Sequence, residues 1–527
     1  MAKRLEEWDA TSYKGHHCLK DPPLSGERFH LCYIPECETY PETTYNPKWL
    51  VEFVPYKEES PSRCTRYAPP NNTCAAAASK NKTVKCDTFV YQRRETTIVR
   101  DFNVTCEENL WKLTIIGTIN VVGELVCLSY SGFISDKYGR KEVMIVSVLL
   151  STAVGILRSF SPNYFTYASL EFLDTALGGG MYGAAFILAM EIVGSKERNV
   201  GNTIISCIYA LGQAVLGITA WLTLSWRTML RIIYAPGILS LVFFWTIPES
   251  IRWLLSMNMT KEAKDVMLEI ARANKKQIPP ETLEKLMRFR KMEQEESIRG
   301  ESFLESVKST RLLIRTVHCS FTWICCTFVY YGLTLHSVAI SDNVYLSFIF
   351  ATVVEIPGYV IYFYANEKIG RRLMMFFTLI LAGISCVAVG FIPEDYYWFK
   401  LCAFLIGKCC STIGYTVLYV YTTEMFPTNS RHTTFSICSM FGRLGSMVAP
   451  QVPLLDRVSR MLPLLMFGLI ACSSGAMALL FPETLNIKLP DTIEEAVNIG
   501  KNKFASGREG NTESSLPLRT TDQSTKM

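Results

Sequence analysis

The chain has 527 residues, of which 49% are apolar, 12% aromatic and 19% charged, against about 25% charged in a soluble globular protein; the shortfall is uneven along the chain. Fifty-three Lys and Arg against 48 Asp and Glu leave a net charge of +5, and because the basic residues sit between apolar blocks this excess does not point to nucleic acid. An ordinary cytosolic enzyme, a coiled coil, a collagen-like chain and a wholly disordered chain are excluded.

Residues 1–108 contain no apolar run long enough to cross a bilayer and no signal peptide. They hold Cys18, Cys32, Cys37, Cys64, Cys74, Cys86 and Cys106 among turn-rich sequence, a density that predicts a disulfide-stapled head in an oxidising compartment. Three glycosylation sequons, at Asn71, Asn81 and Asn103, place the same block on the extracellular side. A fourth, at Asn258, falls in a loop expected to lie inside. Cys325, Cys326, Cys409 and Cys410 lie in apolar segments and read as packed thiols.

A bilayer core of about 30 Å takes about 20 apolar helical residues. Eleven such segments follow, near 111–131, 143–160, 164–190, 203–224, 229–247, 316–335, 344–365, 373–392, 398–422, 433–450 and 463–481. Basic clusters at Asp136-Lys-Tyr-Gly-Arg-Lys, Lys196-Glu-Arg, the loop after Pro248 and Lys368-Ile-Gly-Arg-Arg fall on alternate connections, which makes that side cytoplasmic; Arg457 and Arg460 break the pattern. The expected organisation is a head (1–108, with an atypical leader at 1–29), a five-helix bundle (109–248), a charged cytoplasmic linker with amphipathic helices (249–315), a six-helix bundle (316–484) and a cytoplasmic tail (485–527) that is disordered at its end.

Three signals recur in the same order in both halves. Asp136-Lys-Tyr-Gly-Arg-Lys matches Glu367-Lys-Ile-Gly-Arg-Arg. Glu191 followed by Arg198 matches Glu424 followed by Arg431, and Pro248-Glu-Ser matches Pro482-Glu-Thr. The offsets from 136 to 367, 191 to 424 and 249 to 483 are 231, 233 and 234. Two parallel halves joined by a long loop describe an all-α, two-bundle secondary transporter with its substrate site between the halves at mid-membrane. The repeat also implies that the first bundle lacks one helix. In each Gly-Arg turn, the acidic and basic residues (Asp136, Arg140, Glu367, Arg371) serve either as positive-inside anchors or, better supported by their recurrence, as parts of a gate latch. Glu191 with Arg198, Glu424 with Arg431, and Glu249 with Arg252 complete this predicted charge network.

These motifs are similar to those of the major facilitator superfamily and, more narrowly, of its organic cation, anion and carnitine transporters, the solute carrier family 22 type. The narrower likeness rests on Pro248-Glu-Ser-Ile-Arg-Trp-Leu-Leu, Tyr330-Tyr-Gly-Leu, Glu424-Met-Phe-Pro-Thr-x-x-Arg, and Pro482-Glu-Thr with Leu489-Pro-Asp-Thr-Ile-Glu-Glu-Ala. It covers residues 32–496 and is strongest to invertebrate members. The resemblance implies twelve membrane helices, of which eleven are visible and the first is lacking. It also makes Cys32, Cys37, Cys64, Cys74, Cys86 and Cys106 the disulfide candidates, since these six resemble the family's glycosylated first extracellular loop. Arg443 stands where anion and carnitine members carry Arg and cation members Asp, which implies a carboxylate partner and a lean toward anions or zwitterions; the alternative is a structural pair with an acidic neighbour.

Ionisable groups inside membrane helices mark pathways or partners. Lys408 is expected to pair with Glu355, as a structural, coupling or substrate element. Tyr330, Tyr331, Tyr415 and Tyr419 offer aromatic faces to an ammonium group, and Tyr359, Gln213 and Glu124 are further polar candidates. Gly178-Gly-Gly-Met-Tyr-Gly lacks the Lys-Ser/Thr of a phosphate loop and reads as close helix packing. No catalytic constellation, metal-ligand spacing or cofactor motif is present in the sequence. The expected function is transport of a small organic ion across the plasma membrane by alternating access, with the head outside, the C-terminus in the cytosol, and the substrate and the lipid bilayer as partners. The alternative is a non-transporting truncated form.

Overall fold

The computed structural model describes residues 30–34, 50–57, 60–62, 64–67, 83–91, 95–193, 197–276, 308–340, 343–393, 396–459, 461–485, 487, 490 and 493–499. The body is helical: α1 (Leu110–Tyr138), α2 (Arg140–Arg158), α3 (Tyr164–Gly178), α4 (Gly180–Ile192), α5 (Arg198–Thr223) and α6 (Trp226–Tyr234), the last continued by a 3-10 turn, form the first half. The short helices α7 (Ile251–Ser256) and α8 (Thr260–Ala273) follow in the linker. The second half comprises α9 (Thr310–His336), α10 (Val344–Val353), α11 (Glu355–Ile369), α12 (Arg371–Phe391), α13 (Tyr397–Met425), α14 (Thr428–Val448) and α15 (Leu462–Ala478), with a small α16 (Ile493–Asn498) in the tail.

All eleven apolar segments are helical. Among the described residues, eight helices have the length and apolarity to cross a membrane, counting α3 with α4 and α10 with α11 as single spans. The helices at 143–160, 433–450 and 463–481 fall outside that set. α2 and α14 carry charged and polar residues at their ends or within them, and α15 has 17 residues. Large apolar side chains such as Phe165, Leu222, Trp245, Phe391 and Leu469 point outward, as a lipid solvent requires.

Local chemistry sets the helix ends. Asn163 and Asn343 cap α3 and α10 by accepting from the N–H groups of Thr166 (2.8 Å) and Leu346 (3.2 Å). α1 passes to α2, and α11 to α12, through one residue each. These are Gly139 at φ 106° and Gly370 at φ 90°, backbone conformations that disfavour any side chain. α12 and α15 approach through Gly383 and Gly468, where a Cβ on the first would lie 2.7 Å from the carbonyl of the second, the small-residue contact typical of membrane helices. The halves meet at the head end through Gln451, which accepts from Thr114 (3.0 Å) and donates to Thr118 (2.7 Å).

The described residues of the head form three short antiparallel pairs: His30–Cys32 with Phe89–Tyr91, Tyr56–Lys57 with Ser60–Pro61, and Thr65–Tyr67 with Thr83–Lys85. Disulfides Cys32–Cys86 and Cys64–Cys106 close it around a core of Leu31, Ile34, Leu50, Phe53 and Val54. Cys37, Cys74, Asn71 and Asn81 lie outside the described residues; Asn103 is exposed. Asp101 fastens the head to the first half. It accepts from the Trp226 indole (2.9 Å) and pairs with Arg227 (3.1 Å), and Arg227 in turn donates to the carbonyls of Ser159 and Ser161. Replacing Asp101 with Ala is expected to cost about 1–2 kcal/mol, because it leaves the indole N–H and the guanidinium without their shared acceptor; a lowered melting temperature of the detergent-purified chain checks this.

Candidate functional site

At the linker end, each half carries the same network. In the first half Glu249 accepts from the N–H groups of Arg140 (3.2 Å) and Lys141 (3.1 Å), so a carboxylate sits on the N-terminus of α2. Arg140 pairs with Asp136 at 2.8 Å and lies 3.8 Å from Glu191, which also accepts from Ser250. In the second half Glu483 accepts from the N–H groups of Arg371 (3.0 Å) and Arg372 (3.2 Å) at the N-terminus of α12. Arg371 holds Glu424 through two nitrogens at 3.1 and 3.0 Å, and Thr484 donates to Glu424 at 2.6 Å. Gly139, Arg140, Glu191, Glu249 and Ser250 are thus repeated one for one by Gly370, Arg371, Glu424, Glu483 and Thr484.

The expected pairing within this network is revised on one point. Glu424 takes its ion pair from Arg371, while Arg431 donates to the carbonyls of Phe426 and Pro490, both at 3.3 Å. The acidic residue of the Glu-x6-Arg spacing belongs to the arginine of the preceding Gly-Arg turn, because that turn is folded against it. The side chain of Arg198 lies outside the described set. Glu367 accepts from Asn199 of the other half at 3.4 Å, and Arg252 is exposed on α7.

Mid-way along the helices, α9, α11 and α13 bring together the fully buried pair Lys408–Glu355 at 2.8 Å, both at 0% exposure. Lys408 also donates to Thr334 (2.7 Å) and to the Tyr330 carbonyl (3.3 Å), and its ammonium lies 3.6 Å from the Tyr330 ring centroid. Two of the three ammonium donors are thus hydrogen-bonded, while Glu355 Oε1 faces the charge as an ion pair and has no hydrogen bond of its own. The second oxygen of Glu355 accepts from Tyr330 (2.9 Å) and Tyr359 (3.2 Å).

A second pair stands beside it between the halves. Arg443 on α14 meets Glu124 on α1 at 2.9 Å and donates to the Tyr331 hydroxyl at 3.4 Å. These side chains retain 14% and 30% exposure, so solvent reaches this pair and not the other. A run of rings links the two: Tyr331 packs edge-on against Tyr330, Tyr330 stacks on Tyr415 at 5.0 Å, and Tyr415 bonds Tyr419, which leans on Trp323 at 4.7 Å. Gln213 lies half-buried on α5. Among the described residues, no group of three or more metal-ligating side chains is found.

A model of the Major Facilitator Superfamily matches residues 95–450. The chain belongs to this superfamily. An "Organic cation transporter protein" of Drosophila melanogaster is 32% identical over 430 residues, 80% of this chain and 78% of the relative. "Solute carrier family 22 member 2" of Homo sapiens is 30% identical over 84% of this chain and 82% of its own length, and these relatives place the chain in the solute carrier family 22 branch. Among solved structures, the xylose transporter XylE of E. coli in an inward-open conformation superposes with a TM-score of 0.60 at 17% identity, covering 74% of this chain and 89% of the transporter. It shares the major facilitator fold.

One constellation of this major facilitator chain escapes a residue-by-residue reading. Arg158, 5% exposed, pairs with Glu171 and, at 3.3 Å, with Asp174, and donates to Tyr234 at 2.9 Å. Asn120 donates to Glu171 (2.8 Å) and Ser151 to Asp174 (2.5 Å), tying α1, α2, α3 and α6 together. Its signal was the i,i+3 spacing of Glu171 and Asp174 on an apolar helix. Breaking a buried pair leaves an uncompensated charge. Lys408→Met is therefore expected to destabilise the protein by about 3–5 kcal/mol, and Lys408→Met with Glu355→Leu to recover most of that loss, read as melting temperatures in detergent.

Proposed function

We propose that this protein carries small organic ions across the plasma membrane by alternating access, with the head outside and the linker and tail in the cytosol. The observation that carries the reading is the solvent-reachable Glu124–Arg443 pair between the two halves at mid-length, where a two-bundle transporter holds its substrate. The names of the relatives, organic cation transporter and solute carrier, support an organic ion, and family membership favours transport over a non-transporting form. The basic Gly-Arg turns support a cytoplasmic linker end, and the head's disulfides support an oxidising side for the opposite end.

In this reading Arg443 and Tyr331 face the substrate, with Tyr359, Tyr330 and Gln213 as the surrounding wall. Lys408 and Glu355, fully buried and paired with each other, hold that wall in place. The linker-end networks act as latches: each binds a Gly-Arg turn to two other segments of its own half, so a half moves as a rigid body while the contacts between halves exchange. Glycans on Asn71, Asn81 and Asn103 belong to the same topology.

Cells displaying the chain at their surface are expected to take up at least one labelled probe saturably, from a quaternary ammonium, an organic carboxylate and a trimethylammonio carboxylate. Arg443→Ala at equal surface level should lower uptake of the carboxylate-bearing probes at least tenfold. Absence of saturable uptake for all three overturns the transport reading. Orientation is tested separately: glycosidase should shift the chain on a gel, and the shift should vanish when Asn71, Asn81 and Asn103 are all replaced by Gln. An unshifted wild-type chain would put the head on the cytosolic side.

A further inference from the structure

A groove on the membrane face of the second half takes no part in the site above. α9 and α15 meet closely toward the head end, where a Cβ on Gly332 would lie 2.1 Å from the Phe467 ring, and at mid-length, where Cys326 and Ser474 are 4.0 Å apart. Toward the linker end the same two helices bound a cavity of about 470 Å³, lined by Leu313, Ile314, Val317, His318 and Phe321 of α9 and by Met477 of α15. Ile314 and Val317 are 61% and 62% exposed, so the groove opens outward. His318 stacks on Phe481 at 3.9 Å, and its Nε2 is buried with no hydrogen-bond partner among the described residues.

Arg311 precedes Ile314 by three residues and His318 by seven, and therefore stands on the same face of α9, at the linker-end mouth of the groove. Lys308 precedes Arg311 by three residues more. Both side chains are exposed, and among the described residues neither has an ion pair or a hydrogen bond, whereas Arg315 is bonded to the tail carbonyls of Ala496 and Ile499. Ser309, at the N-cap of α9, makes no side-chain capping bond, so the first N–H groups of the helix point to the same place. We infer that this groove binds an anionic glycerophospholipid, its phosphate at Lys308 and Arg311 and one acyl chain along Ile314, Val317 and Phe321. From Leu313 to Phe321 the groove runs about 12 Å along the helix, most of the depth of one leaflet of a ~30 Å core. A neutral lipid fills the apolar part equally well but leaves both cations without a counter-charge, and an anionic lipid answers them. The ester oxygens of a glycerolipid lie between phosphate and acyl chain. His318, about 10 Å along α9 from Arg311, is the polar side chain on that wall, and an ester carbonyl gives its ring a partner. The linker end, cytosolic in the reading above, faces the leaflet that carries anionic lipid.

The test uses the purified full-length chain in lipid discs of phosphatidylcholine, with and without phosphatidylglycerol of the same acyl chains, and reads the lipid that stays bound by native mass spectrometry together with the melting temperature. Phosphatidylglycerol is expected to be retained roughly tenfold over its share of the supplied lipid, and to raise the melting temperature. Lys308→Gln with Arg311→Gln should bring its retention down to the supplied share. Val317→Trp, which fills the groove from an exposed position, should remove the retained lipid of either kind and leave the melting temperature in phosphatidylcholine unchanged. Equal retention of the two lipids by the wild-type chain, or retention unaltered in either variant, overturns the inference. If the tryptophan variant does not fold, the glutamine variant, which changes only exposed side chains, decides alone. Displacement of phosphatidylglycerol by inorganic phosphate would make the basic residues a phosphate site and also overturn the inference. None of these readouts uses uptake, so the transport reading stands or falls separately.

Discussion

Charge in a low-dielectric slab has to be answered within reach of a side chain, and this constraint arranges the helices. Lys408 sits at zero exposure because Glu355 supplies the opposite charge, Thr334 and the Tyr330 carbonyl accept its hydrogen bonds, and the Tyr330 ring lies against it. Those partners come from α9 and α11, so the ammonium fixes three helices around one atom. Arg158 does the same in the first half, where Glu171, Asp174 and Tyr234 converge on its guanidinium. Apolar packing alone is a weak guide among helices whose solvent is as apolar as they are. The polar clusters give each half a specific arrangement.

The ends of the helices obey a related rule. A helix N-terminus presents unpaired N–H groups and partial positive charge, and here both Gly-Arg turns place that terminus over a glutamate supplied from about 110 residues downstream, Glu249 in one half and Glu483 in the other. The glycine is required twice over, by its positive φ and by the carboxylate, since a Cβ on Gly370 would lie 2.8 Å from a Glu483 oxygen. Duplication explains why the two halves reproduce the device residue for residue at the glycine, the arginine and the two glutamates, while the acidic residue that opens each turn pairs differently, Asp136 with Arg140 and Glu367 with Asn199.

Much of this was legible in the sequence. The eleven apolar segments, the repeat and the Lys408–Glu355 pair all follow from local hydropathy, spacing, or the rarity of buried charge. What escaped was pairing over distance. The two disulfides among the described residues connect residues 54 and 42 positions apart, and spacing does not choose among connectivities. Spacing couples Glu424 with Arg431, a near neighbour, whereas its partner Arg371 lies 53 residues upstream. Arg443 admitted two readings, a substrate site and a structural pair, and the structure pairs it with Glu124, a residue whose weight is invisible until the two halves are brought together.

The appendages are divided between the halves. Asp101 ties the head to Trp226 and Arg227, whereas the tail is tied under the second half: Arg315 donates to the carbonyls of Ala496 and Ile499, at the end of α16, and Arg431 to that of Pro490. Each half thus carries its own handle, and the handles stand at opposite ends of the helices. A ligand that grips the head bears on one bundle, and a protein that grips the tail bears on the other. Two effectors at opposite ends of the helices would then act on different halves of the same molecule.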